Sequence, residues 1–281
     1  MKRIRIFLLL CAVLSFLSQP TRAGLRDDVI CLADTLMEGR GHASRGAVEA
    51  SAYIMRRLRQ IGLEPTVQSF RTKKGIGHNI IARYKGNARS DKYTLICAHY
   101  DGLGRIEGTV YPGADTNASG VAVLLYLAEQ LLGSGRNYIF VAMDGHSEGL
   151  AGARAFATTP WRLSLVVNLD TMGSTLAPPH KHRLDYLIAL GGEPYEKKFV
   201  KANERLWLRM YYDYYRSKSF TDYFYNKISE QAPFIQKGVP AVMFTSGITM
   251  NTNKLSDVPS SFDWDIFQKR AELIRNWLLL M

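Results

Sequence analysis

The sequence predicts an α/β three-layer sandwich, with a mostly parallel central sheet and helices on both faces. Three observations lead there. Tyr138–Met143, Leu163–Leu169 and Ala241–Thr245 are short runs without a polar face, the pattern of strands buried between two layers. Segments with apolar residues at three- and four-residue steps alternate with them, as helices covering a parallel sheet do. Successive strand ends carry histidine or carboxylate, and open α/β sheets collect ligands at those ends.

Taken in order, residues 25–38 and 44–62 read as helices. In the second, Ala47, Ala50, Ile54, Leu58 and Ile61 form one apolar stripe, with Ser44 placed to cap its start and Gly62 to stop it. Strands are expected at 66–70, 79–84 and 93–98, a helix at 118–132, and the strand Tyr138–Met143. A further helix begins near Glu148. The strands Leu163–Leu169 and Tyr186–Leu190 follow, then a helix over 195–208, the strand Ala241–Thr245 and a closing helix over 263–280. No internal repeat, low-complexity tract or Pro/Gly linker divides residues 24–281, which read as one domain.

Residues 1–23 stand apart. Lys2, Arg3 and Arg5 precede an apolar run over residues 6–17, and a short polar stretch ends in the small Ala23. That order is a secretory signal peptide cleaved near Ala23, and the run is short for a bilayer span. The expectation is a secreted or periplasmic protein without a stable membrane span in its mature chain. Its removal takes four cations and no acids, so the formal charge falls from +11 to +7. No dense Lys/Arg block remains, which argues against a nucleic-acid partner. Cys31 and Cys97 do not make a disulfide framework, and Cys97, inside an apolar strand, reads as a buried thiol. There is no P-loop, serine nucleophile elbow or dinucleotide fingerprint.

The polar residues at the strand ends are His99 and Asp101, then Asp115 within Gly113-Ala114-Asp115-Thr116-Asn117-Ala118-Ser119-Gly120, then His146, Ser147 and Glu148, then Asp170. Singly, each has an ordinary structural reading: a helix cap for Asp115, a turn residue for Asp170, a hydrogen-bonded buried imidazole for His99. Together, imidazole and carboxylates on converging loops suit a zinc ion. With Asn168-Leu169-Asp170-Thr171-Met172-Gly173, these strings resemble the metallo-aminopeptidase family of aminopeptidase Y and the bacterial leucyl aminopeptidases, whose fold the glutaminyl cyclases share. The likeness extends upstream to Glu38-Gly39-Arg40-Gly41 and His78-Asn79-Ile80-Ile81-Ala82. Downstream it takes in Ala232-Pro233-Phe234, Gly238-Val239-Pro240-Ala241 and Asp257-Val258-Pro259. The resemblance implies the zinc-exopeptidase fold, peptide or amide substrates, and zinc. Carried over by position, Asp115 matches the Asp that bridges two zinc ions, His99 and Asp170 the other ligands of the first metal, and Asp101 the acid that orients the ligand His.

This chain departs from that pattern at specific places. The family's Glu-Glu-x-Gly-Leu-x-Gly aligns with His146-Ser147-Glu148-Gly149-Leu150-Ala151-Gly152, so His146 occupies the general-base position and Ser147 a ligand position. Asn253 replaces the late ligand His, and Thr116 a common second Asp. Ser147 and Asn253 belong to the same metal, and neither a hydroxyl nor an amide is a good zinc ligand. Two readings stand side by side. In one, a single zinc on His99, Asp115 and Asp170 works with His146 as base to hydrolyse peptide N-termini or a related amide. In the other, the cleft is vestigial and binds peptides or a partner without turnover. A one-residue shift would instead let Glu148 replace the missing ligand. His180 and His182 lie in a Pro-rich loop, and residues 207–225, with seven tyrosines and tryptophans, read either as a wall for apolar substrate groups or as a packed surface segment.

Overall fold

Helix α1 spans Leu25–Leu32 in the computed structural model, which describes residues 24–281. The signal peptide expected over residues 1–23 lies outside the described residues. The order continues with α2 Arg45–Ile61, β1 Pro65–Arg71, β2 Ile76–Tyr84, β3 Tyr93–His99, the short hairpin β4 Arg105–Ile106 and β5 Thr109–Val110, α3 Ser119–Leu131, β6 Tyr138–Met143, α4 Ala151–Ala157 and β7 Leu163–Leu169. Next come β8 Tyr186–Leu190, α5 Glu196–Ala202, β9 Arg209–Tyr211, α6 Lys218–Tyr223, α7 Ala232–Ile235, β10 Ala241–Thr245 and α8 Trp264–Leu279.

Eight strands form one mixed sheet in the order β1-β2-β6-β3-β7-β10-β8-β9. Its centre, β6-β3-β7-β10, is parallel. β2 runs antiparallel to β6, and β8 antiparallel to β10. The runs without a polar face are explained by what lies on each side. Ile96, Ala98, Phe140, Ala142 and Val167 pack into one core with α1, α2, α3 and α8. Their neighbours Leu95, Cys97, Ile139, Val141 and Val166 point the other way, against Ala153 and Phe156 of α4 and Ala232 and Phe234 of α7. Period-two geometry sends alternate side chains to opposite faces, so a strand covered twice must be apolar throughout.

The chain leaves β3 through α3 to reach β6 on one side, then passes through α4 to β7 on the other. β3 is therefore the point where the strand order reverses, and a crevice opens beyond its carboxyl end. Two predicted helices are shorter than their patterns. α1 stops at Leu32 because the Asp34 carboxylate accepts the Leu36 N–H at 2.8 Å, starting a separate 3-10 segment, Thr35–Arg40. α5 stops at Ala202, where the Asn203 side chain accepts from the Leu208 N–H and donates to its carbonyl, turning the chain into β9. In α2, Ser44 Oγ accepts from the Ala47 N–H at 3.3 Å and Gly62 closes the helix at a φ of 100°. Cys31 and Cys97 are both free, and Cys97 is buried. Among the described residues no helix is long and apolar enough to cross a membrane.

Candidate metal centre

The carboxyl ends of β3 and β6 open on one cavity of about 370 Å³. Its lining includes His99, Asp101, Thr116, His146, Ser147 and Asn253, together with Leu103, Leu150, Arg154, Lys227 and Ile228. The aligned residues that departed from the expected ligand types, Ser147 and Asn253, thus face the same space as His99.

Asn117 joins the elements that build this end of the sheet. Its amide nitrogen donates to the carbonyls of His99 (3.2 Å) and Leu169 (2.9 Å), while its oxygen accepts from the N–H groups of Gly120 and Thr171. One side chain so ties β3, β7 and the start of α3 together. Gly120 is required beside it, because a Cβ there would come within 2.4 Å of both the Asn117 side chain and the Leu169 carbonyl.

Asp115 sits in the turn before α3, buried. One carboxylate oxygen accepts from the Gly173 N–H at 2.7 Å and from Ser119 Oγ at 3.2 Å; the other, Oδ2, is buried without a hydrogen-bond partner. Asp257 stands behind it, accepting the Asp115 and Thr116 N–H groups at 2.6 and 3.0 Å. Burial, reinforced by the Asp257 charge, pushes the Asp115 carboxyl up to about 7.

His99, the last residue of β3, is buried. Its Nδ1 lies 3.0 Å from the Asp101 carbonyl oxygen, which fixes the ring through that nitrogen, and its Nε2 lies 3.7 Å from Asp170 Oδ1 with no hydrogen-bond partner. Burial opposes a charge on this imidazole. Glu230, Asp101 and Asp170 together outweigh it and raise its pKa well above the ordinary value. Asp101 and Asp170 answer in kind: burial would raise them, but His99 and His146 hold both below the usual carboxylate range. Asp101 also accepts the His146 N–H at 3.1 Å, so it braces both imidazole segments.

His146 stacks on His99 with ring centroids 4.0 Å apart and planes 17° apart. Its Nδ1 is 2.7 Å from Oε1 of Glu230, a residue only 1% exposed. The Glu230 charge outweighs burial and raises the His146 pKa. Among the described residues, His99, His146 and Glu230 form the set of three whose metal-binding atoms all lie within 4.8 Å of one another. Glu230 was not foreseen. Its signal in the sequence is its place immediately before the Gln231-Ala232-Pro233-Phe234 stretch, and an acid 84 residues from His146 carries no local pattern of its own.

Other expectations lead away from the cavity. Glu148 pairs with Lys74 at 2.7 Å and lines a neighbouring cleft with His42 and Arg105. His180 lines a separate pocket with Tyr211, Tyr215 and Arg216. None of residues 207–225 lines the His99 cavity, whereas Tyr214, Phe220 and Phe224 pack on one another.

Zinc accepts imidazole nitrogen and carboxylate oxygen at four positions. The donors of His99, His146 and Glu230 fit it: His99 Nε2 and one Glu230 oxygen are buried without partners, and a cation is what such atoms lack. Asp115 Oδ2 is equally unpartnered, but Asp115 and Asp170 stand outside that set of three and do not line the cavity. The model of peptidase family M28 matches residues 79–278. The chain belongs to that family. A probable zinc metalloprotease of Pyrenophora tritici-repentis is 35% identical over 120 residues, 37% of this chain. The chain spans about a quarter of that protein's length (27%). Two solved structures share the M28 member's fold. The zinc aminopeptidase BSAP of Bacillus subtilis superposes with a TM-score of 0.71 at 12% identity, covering 92% of this chain and 95% of that one. The glutaminyl cyclase of Fimbriiglobus ruber does so with a TM-score of 0.72 at 17% identity, covering 94% and 95%.

Proposed function

We propose that this M28 member is an exported, zinc-dependent hydrolase that removes residues from peptide N-termini or cleaves a related amide. The observation that carries the proposal is the stacking of His99 on His146 at one cavity, with Asp170 3.7 Å behind His99 Nε2 and unpartnered buried atoms on His99 and Asp115. His99, Asp115 and Asp170 would hold one ion. When bound, zinc polarises the amide carbonyl and acidifies a water. The remaining work belongs to the protein. Glu230 takes the Nδ1 proton side of His146, which leaves Nε2 as the basic nitrogen able to receive a proton from the attacking water. Asp101 holds the His146 backbone and the His99 ring segment in place. The basic, apolar and small-residue order of residues 1–23 supports export to the periplasm or outside the cell.

A second reading has its own observation. Ser147 and Asn253 line the cavity where the resemblance asks for ligands, which favours a non-catalytic member that binds peptides through the cleft. One experiment separates the two. Purified mature protein is expected to hold close to one zinc per chain and to release aniline from aminoacyl anilides, with His99→Ala losing both. Metal-free protein in zinc buffer, or turnover no greater than that of Asp115→Asn, refutes the hydrolase and leaves the binding protein.

A further inference from the structure

We propose that Glu230 is itself a zinc ligand, adding from a different element a carboxylate to the metal that His99 would hold. This rests on the zinc-binding reading above and adds a ligand to it. Glu230 lies in the turn before α7, is almost completely buried, and uses only one of its two oxygens. Oε1 holds His146; Oε2 is buried with no donor near enough to satisfy it. Its metal-binding oxygen lies within 4.8 Å of ligand nitrogens of both His99 and His146, a spread that modest side-chain movement closes around one ion.

Charge points the same way. Asp101, Asp170 and Glu230 are all buried around two imidazoles. The buried guanidinium groups nearby bond carbonyls rather than these carboxylates: Arg40 donates to the carbonyls of Tyr100, Leu32, Pro112 and Gly113, and Arg270 to those of Tyr186, Met172 and Ser174, with one Arg270 nitrogen left unpartnered. Lys227, at the mouth of the cavity, is exposed. Buried carboxylates in excess of fixed cations call for a metal or a proton. A divalent ion between His99 Nε2 and Glu230 Oε2 satisfies two unpartnered atoms at once, while Oε1 keeps its bond to His146. The metal on His99 then gains a carboxylate from a residue that lies in the turn before α7.

The test uses the full chain and zinc alone, read as stoichiometry by elemental analysis and as affinity by competition with a chromophoric chelator. Glu230→Gln keeps an oxygen for His146 but turns the second oxygen into a donor, so it removes a ligand while sparing the bond that positions the imidazole. The expected result is a loss of zinc affinity of more than about 100-fold, beyond the roughly 10- to 100-fold that outer-shell partners contribute. A purely positioning role for Glu230 would keep the loss at or below about 10- to 100-fold, and a result in that range or unchanged affinity overturns the proposal. If Glu230→Gln does not fold, Glu230→Asp keeps the charge one methylene short. It should weaken zinc about tenfold, and unchanged affinity there overturns the proposal equally. Wild-type protein that binds no zinc would instead refute the underlying hydrolase reading, a result distinct from a wild type that binds zinc without Glu230.

Discussion

The two walls of the cavity are held by different kinds of bond. On the Asp115 wall the fixing groups are main-chain: Gly173 N–H to Asp115, the N–H groups of Asp115 and Thr116 to Asp257, and four bonds through Asn117 to the ends of β3, β7 and α3. On the His146 wall the key contact is side chain to side chain, His146 to Glu230, between a loop after β6 and a turn before α7. A wall fixed by backbone constrains which residue can stand there, because a change strands buried N–H groups. A wall fixed by side chains can exchange its ligands one at a time. The departures His146 and Ser147 follow β6 on the side-chain-held wall, and Asp115, His99 and Asp170 do not depart, although Thr116 beside Asp115 is a departure on the backbone-held wall.

The sharpest way to break this contrast is at His146. If its role is to move a proton rather than to hold the metal, His146→Ala lowers kcat by roughly 10²- to 10⁴-fold while zinc content stays at the wild-type value. Steady-state rates and elemental analysis on the same preparation decide it. Zinc lost together with activity would make His146 a ligand, and the flexible wall would then carry metal through two residues instead of one.

A smaller effect is expected on the rigid wall when the support behind the ligand is altered. Asp257→Asn keeps the volume but offers one acceptor and one donor to two N–H groups that both need acceptors. Zinc affinity should fall about 10- to 100-fold, the range found for residues that orient a metal ligand. The metal-free protein should also melt at a lower temperature, since a buried N–H left without a partner costs about 1–3 kcal/mol. Unchanged affinity in calorimetric titration would mean that Asp115 does not need its backbone held.

How much of this was legible in the sequence follows the same division. The strands Tyr138–Met143, Leu163–Leu169, Tyr186–Leu190 and Ala241–Thr245 read with their observed bounds, because a strand covered on both faces is a continuous apolar run with abrupt ends. Helix ends set by a side chain reaching the backbone, at Asp34 and Asn203, were overrun, since the apolar period continues past them. The short strand β9 and the helices α6 and α7 have too few residues to establish a period. In the site, residues that follow a strand were visible because topology alone places them together. Glu230 was not, since its position beside His146 depends on how α7 packs on the far face of the sheet, a tertiary fact without a local signature.

The smallest effect is expected at Glu148, and it tests the alignment on which the contrast depends. A one-residue shift would move Glu148 into the ligand position and make Ser147 incidental. The structure pairs Glu148, whose side chain is 13% exposed, with Lys74, whose side chain is two-thirds exposed, at the cleft that His42 also lines. With the Lys74 partner largely open to water the pair contributes on the order of 1 kcal/mol, so Glu148→Gln should leave zinc stoichiometry and affinity at wild-type values and lower the melting temperature only modestly. The Gly149 and Leu150 backbone explains why the register holds: both adopt positive φ, 69° and 61°, and Leu150 N–H and Ala151 N–H return to the carbonyls of His146 and Gly145. Sliding the segment by one residue would break those two bonds and carry Ala151 into the left-handed conformation. A loss of zinc on Glu148→Gln would show that the loop nevertheless rearranges when metal binds, and the His146 wall would then differ from the Asp115 wall in mobility as well as in how it is bonded.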